Sequence, residues 1–309
     1  PYKILFTGQH TSLLPPVKDN IHRLHIKDGP NRLDSIVASV LNNEDIFKNV
    51  TSVLVQGDTT SAFAIALAAF HRKIPVLHLE AGLRTYDLDH PYPEEFNRQA
   101  ISRLAAVNLC PTARSYAHVE QEKTPGQRFV VGNTVLDNLV DIKPTFTNKV
   151  IVTLHRRENH HWIDQWFKEI DTLASKHLDL EFILPIHPNP AVKKHEHLLK
   201  HVKVVDPVPY DEFTKMLAEC KFAITDSGGL QEELSFFGKL CIVCREQTER
   251  IMGLGTFSYL CLKPKGLEEL FNKVNDSYNT VMGMPCPYGN GKSAETILKL
   301  IKDGYIERF

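Results

Sequence analysis

Five short stretches of the sequence set ionisable side chains beside glycines, prolines or hydroxyls: Gly57-Asp58-Thr59-Thr60, Glu80-Ala81-Gly82-Leu83-Arg84, His155-Arg156-Arg157-Glu158, His187-Pro188-Asn189-Pro190, and Asp226-Ser227-Gly228-Gly229-Leu230-Gln231-Glu232-Glu233. Each follows a short β-rich run. Loops that only turn a chain draw more on Gly, Asn, Ser and Pro than on acids and bases, so the pattern points to proton transfer and anion binding. In the last stretch, two glycines after a strand let backbone amides approach an anion at a helix start. Ser227 adds a hydroxyl donor, and the helix dipole reinforces both. Glu233, one to two helical turns on, is placed to accept hydrogen bonds from ribose hydroxyls. Taken alone, the glycine pair equally suits a tight strand-to-helix turn, Asp58 a helix cap, Arg156 and Arg157 a solvated loop, and His187 a strand end. Neither a Walker A pattern nor GxGxxG occurs, which argues against ATP hydrolysis and nicotinamide binding.

The elements that must position these groups alternate between strand and helix. Tyr2–Thr7, Ser52–Gln56, Pro75–Leu79, Val107–Cys110 and Phe129–Val131 read as strands. Leu33–Phe47, Ser61–Arg72, Glu94–Leu104 and Ala113–Glu120 carry apolar residues at helical spacing. The polar, aperiodic interval Asp141–Asn148 marks a boundary. Beyond it, strands at Val150–Leu154, Phe182–Ile186, Val202–Val205, Phe222–Thr225 and Leu240–Val243 alternate with helices at Ile163–Lys176, Tyr210–Cys220 and Leu230–Phe237. The expected fold is α/β, with two Rossmann-like domains facing a cleft: residues 1–142, residues 149–290, and a C-terminal segment 291–309 whose helix Ala294–Lys302 packs back on the first domain. Ligands in such sheets gather at the carboxyl ends of the strands, which is where all five stretches fall.

Composition narrows the possibilities further. The 309 residues are 42% hydrophobic, enough for two cores, and 36 Lys+Arg balance 37 Asp+Glu. With a net charge of −1 and no basic tail, an anionic ligand must be held by local charge, and nucleic acid is not expected as a partner. No apolar run of about 18 residues and no signal-peptide pattern occur, so no membrane partner and a cytoplasmic location are expected. Cys241 and Cys244 have a metal-like spacing but lie in a strand-like run, where their side chains point to opposite faces. The His155, His160 and His161 cluster and the His195, His197 and His201 group, read as a helix, lack a third ligand or an HExxH arrangement; no metal is expected.

Several motifs, in order, cover almost the whole chain: Gly57-Asp58-Thr59-Thr60, His78-Leu79-Glu80-Ala81-Gly82-Leu83-Arg84-Thr85, Pro93-Glu94-Glu95-Phe96-Asn97-Arg98, Gly132-Asn133-Thr134, His155-Arg156-Arg157-Glu158, His187-Pro188-Asn189-Pro190, Asp226 through Glu233, and Thr248-Glu249-Arg250. In this the chain resembles the UDP-N-acetylglucosamine 2-epimerases, which have a two-domain, GT-B-like fold. The resemblance implies that Ser227, Gly228 and Gly229 bind the diphosphate, that Glu233 binds the ribose and that Phe213 lies near the uracil. Arg98, His155, His187 and Arg250 are implied around the diphosphate and sugar. Asp58, Glu80 and Glu94 are implied as the acid and base groups, with His155 in the catalytic set. No cofactor is implied; the substrate is a UDP-N-acetylhexosamine, and family members are commonly homodimers. The family reaction eliminates UDP to give 2-acetamidoglucal, then adds back UDP or water. Re-addition of UDP is the favoured expectation, with a hydrolysing epimerase, a UDP-sugar binder without turnover and a GT-B glycosyltransferase as alternatives.

Two departures accompany the resemblance. Family members normally begin with a strand ending in a Gly-Thr-Arg-Pro-Glu-like turn, whereas this chain opens at Pro1-Tyr2-Lys3-Ile4-Leu5-Phe6-Thr7-Gly8-Gln9-His10, which matches the next strand of the family and its Gly-Gln-His turn. Pro1 is compatible with removal of an initiating Met. Gln9 and His10 fall where a second, allosteric nucleotide-sugar site would be approached. After Arg250, Ile251-Met252 replaces the family's Pro-Glu.

Overall fold

The protein is described by a computed structural model that covers residues 2–8, 20–27 and 29–306. Gln9 and His10, and with them the expected second site, lie outside the described residues. The chain divides into two compact units, one of residues 1–131 and 297–309, the other of residues 132–296. The division falls ahead of the polar interval Asp141–Asn148, because the short 3-10 helix Thr134–Asn138 already contributes Leu136 to the second unit's core.

In the first unit, β1 (Ile4–Phe6) pairs in parallel with β2 (Ile21–Arg23), and α1 (Arg32–Leu41) follows. The main sheet contains β3 (Val53–Gln56), β4 (Val76–Leu79), β5 (Val107–Cys110) and β6 (Gln127–Val130), parallel and in that order. It is linked by α2 (Thr60–His71), α3 (Glu94–Leu104) and α4 (Ala113–Gln121). Parallel strands need crossover connections, and helices supply all three. β4 and β5 are buried along their whole length, as strands covered on both faces must be. Val55 and Val76 pack with the alanines of α2, while Leu77, Leu79, Val107 and Leu109 form a separate core.

The second unit carries β7 (Lys149–Thr153), α5 (Ile163–Lys176), β8 (Glu181–Pro185), α6 (Pro190–Lys193), β9 (Lys203–Val205), α7 (Tyr210–Glu219), β10 (Phe222–Thr225), α8 (Gly228–Phe236), β11 (Cys241–Val243), β12 (Ser258–Leu260) and α9 (Leu267–Ser277). Its parallel strands lie in the order β12-β11-β10-β7-β8-β9. Counted within the unit this is the 3-2-1-4-5-6 order of the doubly wound nucleotide-binding fold, in which the order reverses between β7 and β10. Alternation along the strands sorts their side chains into two cores. Val150, Val152, Phe222, Ile224 and Ile242 pack with α5 and α9; Ile151, Ala223, Cys241 and Val243 pack with α7 and α8. Cys241 and Cys244 accordingly sit in different cores, and burial pushes both thiols upward in pKa.

Finally α10 (Ser293–Lys302) starts in the second unit, where Asp137 accepts from the amides of Ser293 and Ala294, and ends in the first. There Ile297, Leu300 and Ile301 pack against the core of Leu77, Leu79, Val107 and Leu109.

Some sequence expectations are corrected. The helix expected over Leu33–Phe47 ends at Leu41, where the Asn42 and Asn43 amides turn back to the carbonyls of Ala38 and Val40, and a 3-10 turn occupies Asp45–Phe47. His195, His197 and His201 share no helix: α6 stops at Lys193, a 3-10 turn spans Glu196–Leu198, and His201 lies beyond it, bonded through Nδ1 to Asp171.

Candidate functional site

In the second unit the candidate residues collect where β7 and β10 end, on either side of the order reversal. Asp226, fully buried, joins the two ends: Oδ2 accepts from the amides of His155 and Arg156, each at 2.9 Å, and from Asn159 Nδ2 at 3.0 Å. Oδ2 thereby fixes the β7 loop, while the buried Oδ1 makes no hydrogen bond and lies 3.7 Å from His155 Nδ1. His155, at that loop, stacks on His187 with ring centroids 5.2 Å apart and an angle of 15°. Burial, then the neighbouring His155, lowers the pKa of His187 and favours its neutral form.

α8 begins directly after Asp226. Ser227 occupies the N-cap with extended backbone, yet its side chain makes no cap hydrogen bond. The other α-helices that begin on a hydroxyl or amide residue differ: Asn31, Thr59, Thr112 and Asn189 each turn a side-chain oxygen to their helix's amides. The start of α8 thus keeps its amide donors and adds a hydroxyl, the donor set a phosphate requires. The Arg250 guanidinium lies against the same turn, since a Cβ on Gly228 would fall 2.8 Å from Arg250 Nη1 and 2.9 Å from Glu249 Oε1. A Cβ on Gly229 would meet nothing within 4 Å, so the helix start is open on that side. Arg250 is held by Glu232 Oε1 at 2.9 Å and by Glu249. Arg245, also buried, ties the β7 loop to this region through Glu158 at 2.7 Å and Glu249 at 3.1 Å.

One turn and a half along α8, Glu233 faces α7. Tyr210 Oη donates to Glu233 Oε1 at 2.9 Å, while the buried Oε2 has no partner. Burial pushes the Glu233 carboxyl up to about 7, against which the tyrosine hydrogen bond pulls down. Phe213, one turn beyond Tyr210 and half-buried, shares its face of α7. An aromatic ring, a phenol and a carboxylate with a spare oxygen next to an anion-receptive helix start form a set suited to a nucleoside diphosphate.

The first unit gathers carboxylates. Asp58 does not cap α2; Thr59 does, at 3.2 Å from the Ala62 amide, and Asp58 instead pairs with Arg98 Nη2. Asn97 Nδ2 donates to the Asp58 carbonyl at 2.9 Å, and Glu95 Oε2 accepts from Arg98 Nη1 at 3.2 Å. Glu94 opens α3, one turn before Arg98 on the same face. Glu80 follows β4 in the left-handed region, at φ 60°, and accepts from Gln56 Nε2 at 2.7 Å. A non-glycine residue held there carries a conformational cost of about 1 kcal/mol, a cost that recurs where a side chain must be aimed. His78, buried beneath these loops, bonds through Nε2 to the Gly57 carbonyl at 2.8 Å; burial drives its pKa down to about 4 and keeps it neutral. Asp58, Glu80 and Arg98 thus share one end of the sheet of the first unit. His155, His187, Ser227, Gly228, Gly229, Arg250, Glu233 and Phe213 belong to the second.

Residues without an individual role in the sequence reading also belong here. Glu95 and Glu232 stand next to Glu94 and Glu233 within their motifs, so residue type and spacing do not single them out. Tyr210, Arg245 and Tyr288 carried no local signal, because each acts on a residue distant in sequence.

The doubly wound second unit with an anion-receptive helix at its switch point, and a first unit rich in carboxylates, define an enzyme class with a GT-B-like fold that handles nucleotide sugars. The sequence model of the family described as UDP-N-acetylglucosamine 2-epimerase matches residues 1–302. A UDP-N-acetylglucosamine 2-epimerase of Campylobacter jejuni is 32% identical over 355 residues, covering 98% of this chain and 90% of that protein. A second, from Bacillus subtilis strain 168, is 32% identical over 328 residues, covering 96% and 86%. Among solved structures, a UDP-GlcNAc 2-epimerase of Neisseria meningitidis bound to UDP-GlcNAc has a TM-score of 0.83 at 31% identity, covering 91% of this chain and 85% of that one. The chain belongs to the UDP-N-acetylglucosamine 2-epimerase family.

Proposed function

We propose that this protein is a non-hydrolysing UDP-N-acetylglucosamine 2-epimerase, an isomerase that interconverts UDP-N-acetylglucosamine and UDP-N-acetylmannosamine. The observation that carries the reading is the start of α8, where an N-cap hydroxyl outside any cap bond, open glycine backbone and the Arg250 guanidinium come together in a chain of this family. Ser227, Gly228, Gly229 and Arg250 take the diphosphate, Glu233 the ribose and Phe213 the uracil, with His155 and His187 beside the diphosphate and sugar. In the first unit Arg98 is assigned to substrate binding and Asp58, Glu80 and Glu94 to the proton chemistry; in the second, His155 is also assigned to the catalytic set.

The reaction needs both kinds of group. A carboxylate removes the C2 proton; the C–H electrons form the C1–C2 double bond as the C1–O bond breaks and UDP departs with the pair. Re-addition of UDP at C1, with protonation of C2 from the opposite face, gives the epimer. The C2 proton is only weakly acidic, so stabilising the leaving diphosphate matters as much as positioning the base. Arginine and helix amides supply that stabilisation. The reading includes a homodimer, common in the family, and a cytoplasmic location, where a nucleotide-sugar substrate is met.

Incubation with UDP-N-acetylglucosamine and separation of the products tests it. UDP-N-acetylmannosamine is expected. Free N-acetylmannosamine with UDP would make the enzyme hydrolysing, and unchanged substrate with measurable UDP binding would reduce it to a binder.

A further inference from the structure

The Gly132-Asn133-Thr134 motif lies outside the residues assigned to ligand or chemistry, and Tyr288, 1% exposed, stands in a turn that carries no motif. The structure joins them to Arg250 in a closed circuit of hydrogen bonds inside the second unit. The Asn133 amide donates to the Tyr288 carbonyl at 2.8 Å. Asn133 Nδ2 donates to Glu232 Oε2 at 2.5 Å, and Glu232 Oε1 accepts from Arg250 Nε at 2.9 Å. Tyr288 Oη then closes the circuit by donating to the Arg250 carbonyl at 2.7 Å. The same hydroxyl accepts from the Gly253 amide at 3.0 Å, so it clamps both ends of the 3-10 turn Ile251–Gly253, the turn in which Ile251-Met252 departs from the family's Pro-Glu. Close backbone approach makes the circuit possible: Gly132, at φ +81°, would place a Cβ 3.3 Å from the Gly289 Cα and 2.7 Å from Ser293 Oγ. All four members are buried.

We infer that Tyr288 and Asn133 are positioning residues for nucleotide binding, holding Arg250 against the start of α8 from its main-chain side and, through Glu232, from its side-chain side. Tyr288 fixes where the Arg250 backbone leaves the turn, and Asn133 orients the carboxylate that fixes the guanidinium. Neither needs to touch the ligand. The inference rests on the assignment of Arg250 to the diphosphate.

A double-mutant cycle on the full chain, read by calorimetric titration with UDP and with uridine, tests both ideas separately. Tyr288→Phe, which removes one oxygen, is expected to weaken UDP about ten-fold in the native background and less than about two-fold in an Arg250→Ala background, because a buried hydrogen bond acting through Arg250 has nothing left to act on there. Uridine, which lacks phosphate, is expected to bind Tyr288→Phe and the native chain alike. Should Tyr288→Phe fail to give a cooperative melt, Asn133→Ala takes its place in the same cycle, from the opposite corner of the circuit. Equal losses in both backgrounds, equal losses for uridine and UDP, or no loss overturn the inference while leaving Arg250 in place. An Arg250→Ala variant that binds UDP like the native chain overturns the assignment of Arg250 and the inference together.

Discussion

At the scale of single residues, Gly228 and Gly229 make opposite predictions from adjacent positions. A Cβ on Gly228 meets Arg250 and Glu249 under 3 Å, so Gly228→Ala should push the guanidinium off the helix start, cost about 1–3 kcal/mol of stability and weaken UDP ten-fold or more. Gly229→Ala meets open space; it should leave stability unchanged or raised by about 0.5 kcal/mol, yet still weaken UDP, because that space is where the diphosphate is proposed to approach. Thermal melts and UDP titrations of both variants separate fold from ligand, and full UDP affinity in Gly229→Ala would place the phosphate elsewhere. Glu233 adds a pH signature. Its folded pKa near 7 lies above the ordinary 4.5, so the folded chain keeps a proton that the unfolded chain releases. That contribution is complete below about 4.5 and is lost as pH rises through about 7, on the order of 3 kcal/mol. Glu233→Gln should therefore be relatively more stable than the native chain at pH 8 than at pH 5 while binding UDP more weakly; melts that track each other at both pH values would contradict this.

At the scale of elements, His78 pins β4 to the turn after β3. Its folded pKa near 4 lies below the ordinary 6.5, so the unfolded chain takes up a proton first as the solution is acidified. Stability should fall between about pH 6.5 and pH 4, by on the order of 3 kcal/mol, and His78→Gln should remove that slope in denaturant titrations across the window. How much of this architecture the sequence discloses depends on element length and on the reach of each contact. α3 and α5, with 11 and 14 residues, show full helical periodicity and match their expected bounds, and β10 follows from its unbroken apolar run. β2 and β12, three residues each, are too short to show alternation. α9 is hidden in the sequence although Leu267, Phe271 and Val274 mark a buried stripe, because it follows a lysine- and proline-containing turn that reads as loop. The site divides in the same way. Ser227 to Glu233 is a local pattern and was legible, whereas the pairing of Asn133 with Glu232 spans 99 residues and that of Tyr288 with Arg250 spans 38, distances that no single-sequence pattern encodes.

At the scale of the whole molecule, binding and proton chemistry are assigned to residues of different units: the UDP ligands Ser227, Gly228, Glu233 and Arg250 to the second, the carboxylates Asp58, Glu80 and Glu94 to the first. Loss of turnover and loss of nucleotide affinity should then be separable. Glu80→Gln and Glu94→Gln are expected to abolish exchange of the C2 proton while UDP titrates these variants within about two-fold of the native affinity, since uncharged amides conserve shape and remove only the base. Proton NMR of the sugar signals during incubation with UDP-N-acetylglucosamine in deuterium oxide bears most directly on the proposed chemistry. Epimerisation by elimination and re-addition predicts deuterium at C2 in UDP-linked N-acetylmannosamine, and none in the Glu80→Gln and Glu94→Gln variants. A C2 signal that stays fully protonated while the native protein binds UDP, or normal exchange in both variants, would contradict it.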